Sequence, residues 1–400
     1  MVISIIFKKL LVFFKYERSK TMKTLEKLGV LLVIIFIAGC TNLNAKRYLT
    51  EKYSDKVTYK KSTFKSLKNW NNADQLKSFN AFKLSCGKIV QENKAEYNNW
   101  INICKKTINT KINTIEEARL FFKENFSPYQ IIFNNKNTGI FTGYYEPTLQ
   151  GSLVKTLQYN VPIYKTPTDL VKIPNIGDSY KFGRCENNKL VPYYTRAEIS
   201  SGNLFDNKDV LVWVNSKVDR SFLQIQGSGR IQTESGDILI GYDSENGHPY
   251  KPIGKYLLDH NHIPLEKISM QSIKEWLHNN PDKIDEVLSY DPSFVFFRYI
   301  DAKNAMGAQE VELTPGYSLA IDDEYYLYGI PMWLETQYYE KNRSETVSLD
   351  RLMIAQDTGG AIRGAIRGDV FWGHGDQAEF NAGHMNNQGK LWILLPKEKI

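Results

Sequence analysis

From about Ile131 to the C-terminus the apolar residues come in short runs cut by Gly, Pro and Asn, and this punctuation limits the chain to a strand-rich fold. Ile140-Phe-Thr-Gly-Tyr-Tyr145, Val161-Pro-Ile-Tyr164, Val210-Leu-Val-Trp-Val214 and Phe222-Leu-Gln-Ile-Gln226 are strand candidates. Val295-Phe-Phe297, Ser318-Leu-Ala-Ile321, Met332-Trp-Leu334, Leu352-Met-Ile-Ala355 and Lys390–Leu395 follow. The stretch before them, from Thr63 to about Tyr129, has a helical period, with Leu67, Trp70, Leu76, Phe79, Phe82 and Ile89 recurring on one face. Thr114-Ile-Glu-Glu117 has the form of a capping box that opens a helix through Phe121 and Phe122. Helix returns at Pro252–Leu258 and at Ser269–Asn279, where Ile273, Trp276 and Leu277 share a face. The expected class is mainly β with N-terminal helices, as barrel or sandwich domains. A length of 400 residues suits two or three domains.

The N-terminus carries an address. Met22-Lys-Thr-Leu-Glu-Lys27 is charged, Leu28–Ala38 is apolar, and Ile37-Ala38-Gly39-Cys40 closes the segment. This resembles a bacterial lipoprotein signal over residues 1–39, with Cys40 taking the lipid and residues 40–62 forming a polar tether. The alternative is a transmembrane anchor, but roughly 11 apolar residues are too few to span about 30 Å. Met22 then reads as the true start, or residues 1–21 as an extended charged leader. Thr41, rather than an acidic residue, favours the periplasmic face of the outer membrane, with the membrane held through lipidated Cys40. Residues 1–39 hold seven Lys and Arg against two Glu, which is +5 of the chain's formal charge of +7. A body so near neutral offers no footprint for nucleic acid. Export permits disulfides. Cys86 and Cys104 share one helical-looking stretch and are the plausible pair, leaving Cys185 odd. No Cys or His spacing suggests a metal, and no cofactor is expected.

The segment from Ala355 to Gly375 holds two carboxylates, Asp357 and Asp369, among six glycines and the pair Phe371-Trp372. Glycines let backbone approach a ligand closely. Carboxylates beside apolar walls, or beside each other, acquire the raised pKa that an acid needs near neutral pH. The plain alternative is a pair of Gly-rich turns with solvated aspartates.

Several segments occur in order: Phe141-Thr-Gly-Tyr-Tyr-Glu-Pro147, Thr195-Arg-Ala-Glu-Ile199, Gln224-Ile-Gln-Gly-Ser-Gly229, Asn246-Gly-His-Pro-Tyr250 with Ile253-Gly-Lys255, and Asp291-Pro-Ser-Phe-Val-Phe-Phe297. The Asp357–Gly375 segment and Ala382-Gly-His-Met385 complete the set. Together they resemble the membrane-bound lytic murein transglycosylase A family. The resemblance implies a double-psi β-barrel made from residues 63–143 and 251–400. A second β domain, residues 144–250, is inserted between them, with a glycan groove between the two. It also implies a C-terminal trio of aspartates, here Asp357, Asp369 and Asp376.

The implied reaction breaks the β-1,4 bond between N-acetylmuramic acid and N-acetylglucosamine in peptidoglycan. Asp369 donates a proton to the leaving oxygen and then takes one from the C6 hydroxyl that attacks C1, giving a 1,6-anhydro sugar. Asp357 and Asp322 are the expected supporting carboxylates, Asp357 having a backbone-capping turn as its alternative. Tyr144, Glu146, Gln226, Gly227, Ser228, Gly229, Gly359 and Gly360 are the expected substrate contacts. For Gln226–Gly229 a hairpin turn is the alternative, and for Tyr144 and Glu146 a structural role. Arg363 and Arg367 are expected to point outward. The Arg-Gly-Asp tripeptide at Arg367–Asp369 and the pair His260/His262 read as incidental, and His248, His374 and His384 as supporting groups. Rival functions are a hydrolase using Asp357 and water, and a non-catalytic peptidoglycan-binding lipoprotein. Partners are peptidoglycan glycan strands and, as candidates, cell-wall synthesis scaffolds.

Overall fold

The computed structural model describes residues 57–172, 182–341 and 345–397. The expected signal peptide, the Met22 start and the lipidation site Cys40 lie outside the described residues. Strands dominate, as the punctuated apolar runs predict.

The larger sheet closes on itself. Its ring runs through Asn386–Pro396, Pro331–Tyr339, Thr346–Asp357, Ser318–Ala320, Arg367–His374 and Gly139–Glu146. Asn386–Gly389 then pairs antiparallel with Gly139–Thr142 and seals the barrel. Closure removes the unpaired edges that an open sheet would expose. Two of the pairings are parallel, Ser318–Ala320 with Thr346–Asp357 and Arg367–His374 with Gly139–Glu146. Phe126–Phe133 extends the sheet beyond Asn386–Pro396, and Val57–Lys61 adds a further edge strand. The expected tether over residues 40–62 therefore ends early. Thr58 and Tyr59 pair with Ile132 and Ile131, and Val57 is buried.

The helical third packs outside this barrel. Thr63 to Tyr129 contains helices Gln75–Glu92, Ile101–Asn109 and Ile115–Asn125, the last opened by the expected Thr114/Glu117 capping box. Phe79, Phe82, Phe122 and Phe126 form a fully buried aromatic cluster continuous with Trp333, Met353 and Ile393 of the barrel. Ser78 Oγ donates to the carbonyl of Leu352 at 2.7 Å, and Gln356 Nε2 to that of Ala81 at 3.0 Å, which sets the helix against the strand that ends at Asp357. Cys86 and Cys104 are bonded across the first two helices with a sequence separation of 18. A loop of that length is worth about 3 kcal/mol of unfolded-chain entropy. The double Cys86→Ala/Cys104→Ala protein is expected to lose about that much stability in urea titration; an unchanged midpoint would mean that the aromatic packing holds the helices alone.

The second sheet has the order Val295–Tyr299, Gly236–Glu245, Ser228–Thr233, Thr148–Ser152, Val210–Val214 and Val161–Tyr164. Its core is Leu149, Val161, Ile163, Val212, Val214, Leu223, Ile231, Ile240 and Phe297. Two expectations need correction. Phe222–Gln226 is not a strand but the end of helix Lys217–Gln226. Ser216 caps it by accepting from Asp219 N, and Gly227 at φ +78° closes it, so helix signals at both ends override a brief apolar alternation. Nor do residues 251–299 join the barrel. Val295–Tyr299 pairs with Gly236–Glu245, and helices Ile253–Asp259, Met270–Asn279 and Ile284–Ser289 pack on Phe222. The barrel itself keeps the whole of Gly139–Glu146, past residue 143, and resumes at Ser318.

Candidate active site

Four adjacent barrel strands place the two carboxylates. Ala320 is in register with Asp357 on one side and with Asp369 on the other, and Asp369 is in register with Thr142 on the next strand. Residues in register on neighbouring strands share a face. Asp357 and Asp369 thus flank an alanine, whose methyl leaves space between them, with their Cα atoms about 10 Å apart across two strand spacings.

The strand Gly139–Glu146 holds both acids. Thr142 and Tyr144, two residues apart, project from one face. Thr142 Oγ1 donates to Asp369 Oδ1 at 2.6 Å, and the Tyr144 hydroxyl donates to Asp357 Oδ2 at 2.6 Å. The backbone N–H groups of Ala308 and Thr358 donate to Asp357 Oδ1, each at 2.9 Å. Tyr144 is itself buried, its ring 5.2 Å from that of Phe371, in an apolar cluster with Ala305, Leu313, Ala320 and Ile362.

Both aspartate side chains are half-buried, so they keep a face toward solvent while protein crowds the carboxyls. Burial pushes the Asp357 carboxyl up to about 6, against the pull of the Tyr144, Ala308 and Thr358 donors; the nearby Asp369 charge adds to the rise. Burial also raises Asp369 above the ordinary carboxylate range, while Arg367 and the Thr142 hydroxyl draw it back. A carboxyl that stays protonated to higher pH yet touches solvent can deliver a proton to a bound oxygen.

Arg367 is a correction to the expected outward pointing. Its Nη2 donates to Thr142 Oγ1 at 2.8 Å, forming a chain from Arg367 through Thr142 to Asp369. The strand folds it back because Thr142 sits opposite Asp369 and within reach of a long side chain two positions earlier. Arg363 does face outward, with its guanidinium donating to the carbonyls of Gly359 and Ile362. Thr142 is not among the residues expected from the sequence, although its place two before Tyr144 in the strand period was a signal for it.

The other expected residues fall into different places. Asp322 is fully buried and spends its oxygens on the N–H groups of Glu324 and Gly364, at 3.2 and 2.6 Å, which fixes the loop leading to Asp369. It does not reach the pair of acids with a free oxygen. Glu146 is buried against Arg230, whose Nε lies 3.2 Å away; burial raises its carboxyl and Arg230 then His374 oppose the rise. Gln226 Oε1 accepts from the Tyr145 N–H at 2.9 Å. Arg230 and Gln226 thereby tie the second sheet and its helix to the strand that carries Thr142 and Tyr144. Gly227 caps the helix, and Ser228 and Gly229 are buried. A Cβ at Gly229 would meet Leu223 Cδ1 at 2.3 Å, so the glycine there serves packing. Gly359 and Gly360 form an open turn beside Asp357, with Gly360 exposed. Asp376, the third aspartate of the implied trio, is turned to solvent at 93% exposure, 3.8 Å from Lys341. Among the described residues no group of three or more His, Cys, Asp or Glu side chains is placed to hold a metal ion.

The chain matches two family models, the MltA specific insert domain over residues 140–298 and the 3D domain over residues 317–395. It is 33% identical over 258 residues to membrane-bound lytic murein transglycosylase A of Escherichia coli K12, a match spanning 64% of this chain and 65% of that protein. Its fold is similar to the crystal structure of the membrane-bound lytic murein transglycosylase from Agrobacterium tumefaciens, with a TM-score of 0.76 and 30% identity over 85% of this chain and 98% of that one. It is also similar to Escherichia coli MltA with bound chitohexaose, with a TM-score of 0.62 and 28% identity over 80% of this chain and 90% of that one.

Proposed function

Because the chain belongs to the membrane-bound lytic murein transglycosylase A family, we propose that it cleaves peptidoglycan glycan strands between N-acetylmuramic acid and N-acetylglucosamine, leaving 1,6-anhydromuramic acid. The observation that carries the reading is the half-buried Asp369, raised by burial and pinned through one oxygen by Thr142. Its other oxygen delivers the proton to the glycosidic oxygen as the C1–O bond breaks. The C6 hydroxyl of the muramic acid attacks C1 and gives its proton to the ionised Asp369, which ends the cycle protonated with no water consumed. Asp357 supplies negative charge near C1 as the oxocarbenium-like state forms. The bound chitohexaose in the Escherichia coli relative supports an oligosaccharide as the substrate.

The mixed parallel and antiparallel six-strand ring supports a double-psi barrel, and the second sheet between its strands supports an inserted domain. Anchoring through lipidated Cys40 at the periplasmic face of the outer membrane, and recruitment by cell-wall synthesis scaffolds, belong to the same proposal. The test is mass spectrometry of a sacculus digest by protein lacking residues 1–40. Anhydromuramyl ends are expected. Reducing ends would instead support a hydrolase in which Asp357 activates water, and binding without cleavage would support a peptidoglycan-binding lipoprotein.

A further inference from the structure

A cavity of about 300 Å³ opens at the far end of the strand that carries Asp369. It is lined by Lys77, Arg351, Trp372, His374, Gln377 and Asn381, over a floor that includes Tyr317. These come from five separate elements: helix Gln75–Glu92, the turn at Gly316, and strands Thr346–Asp357 and Arg367–His374, with helix Asp376–His384.

Two cations converge there. The Arg351 guanidinium lies 4.7 Å from the Tyr317 ring centroid and Lys77 Nζ lies 5.7 Å from the same ring. Arg351 is anchored by one bond to the Gly316 carbonyl at 2.9 Å, and no carboxylate among the described residues pairs with it. Among the described residues the one carboxylate paired with Lys77 is Asp74, at 3.7 Å, and Asp74 is already engaged as the cap of its helix. Gln377 Nε2 donates to Asn381 Oδ1 at 2.7 Å, an arrangement that orients the Asn381 amide N–H away from its partner. Trp372 adds an apolar wall, packed against Tyr338 at 4.6 Å. Cations held on an aromatic ring, amide donors and an indole face suit a carboxylate on a short, partly apolar chain.

The geometry points to this cavity as a binding site for a carboxylate of the peptide stem that hangs from muramic acid. The inference rests on the proposed glycan-cleaving function. His374 follows Asp369 by five residues, about 17 Å along the strand, and the bulge between Phe371 and His374 returns it to the face shared by Asp369 and Phe371, whereas Trp372 projects from the other face; an extended peptide of about five residues on a sugar at Asp369 spans that distance to the edge of the cavity. The site then selects for peptide-bearing strands.

Two measurements test this with the protein lacking residues 1–40. The first compares cleavage rates on sacculus glycan with and without its peptides, the latter prepared by amidase digestion. For wild type the ratio of kcat/KM, peptide-bearing over peptide-free, is expected to exceed one, and in Lys77→Gln/Arg351→Gln to fall about 10-fold, the worth of one charge-assisted bond. A ratio equal to wild type overturns the proposal. Should the double variant fail to fold, Lys77→Glu decides, because that side chain is 63% exposed and its reversal leaves the core alone. The second measurement is calorimetric titration with the amidase-released peptides and, separately, with inorganic phosphate. Peptide binding weakened about 10-fold by the variant supports the site, and does so even if the protein cleaves no glycan, which would sink only the lyase reading. Binding of phosphate alone, or of neither, overturns it.

Discussion

An Asp369→Asn protein is expected to lose at least about 10³-fold in kcat on sacculi with no loss of thermal stability at neutral pH, because the carboxyl it replaces is itself raised by burial. The size follows from the proposed mechanism, in which one side chain acts twice. An amide can neither donate the proton to the leaving oxygen nor accept one from the C6 hydroxyl, so both steps lose their catalyst. Asparagine keeps the shape and can still accept from Thr142, which held Oδ1 at 2.6 Å. The pH profile gives an independent check. The proposed mechanism starts from protonated Asp369, so kcat/KM should fall as pH rises through its raised pKa. Arg367→Gln removes the charge that draws this carboxyl down, and should move that alkaline limb to higher pH. Cleavage at the wild-type rate by Asp369→Asn would remove Asp369 from the mechanism altogether.

The second large effect concerns Asp357, where function and stability should move in opposite directions. Asp357→Asn is expected to lower kcat by about 10–100-fold, through loss of charge near C1, while leaving the anhydro product unchanged. It should also stabilise the fold at neutral pH. The folded carboxyl sits at about 6 against an ordinary 3.8, so folded protein holds its proton longer than unfolded protein does. The stability from that proton is fully present below about pH 4 and lost as pH rises through about 6, amounting to about 2–3 kcal/mol by pH 7.5. The variant does not titrate there. Urea midpoints of variant and wild type should therefore diverge in the variant's favour between pH 4.5 and 7.5. A constant difference would place the Asp357 carboxyl near its ordinary value. Tyr144→Phe removes a donor that lowers the same pKa, and should widen the pH dependence.

As a candidate pair, Asp357 and Asp369 were legible because they lie in one continuous segment with glycines and aromatics around them. Their partners were less so. Tyr144 could be named from its motif, yet Thr142, in the same motif, becomes visible only when strand registry sets it opposite Asp369. Asp322 has the right chemistry, but its oxygens are taken by the N–H groups of Glu324 and Gly364. Gln226–Gly229 carries a recognisable motif whose roles here are a helix cap, close packing and a bond to the Tyr145 backbone.

Local chemistry along the chain determined its strand-rich character, the helical third, the capping box at Thr114 and the segment holding the acids, because each depends on periodicity or on neighbours within a few residues. Closure of the barrel decided the rest. Which oxygens remain free, which arginine turns inward and how far one acid stands from the other depend on the pairing of strands more than 200 residues apart, as between Thr142 and Asp369.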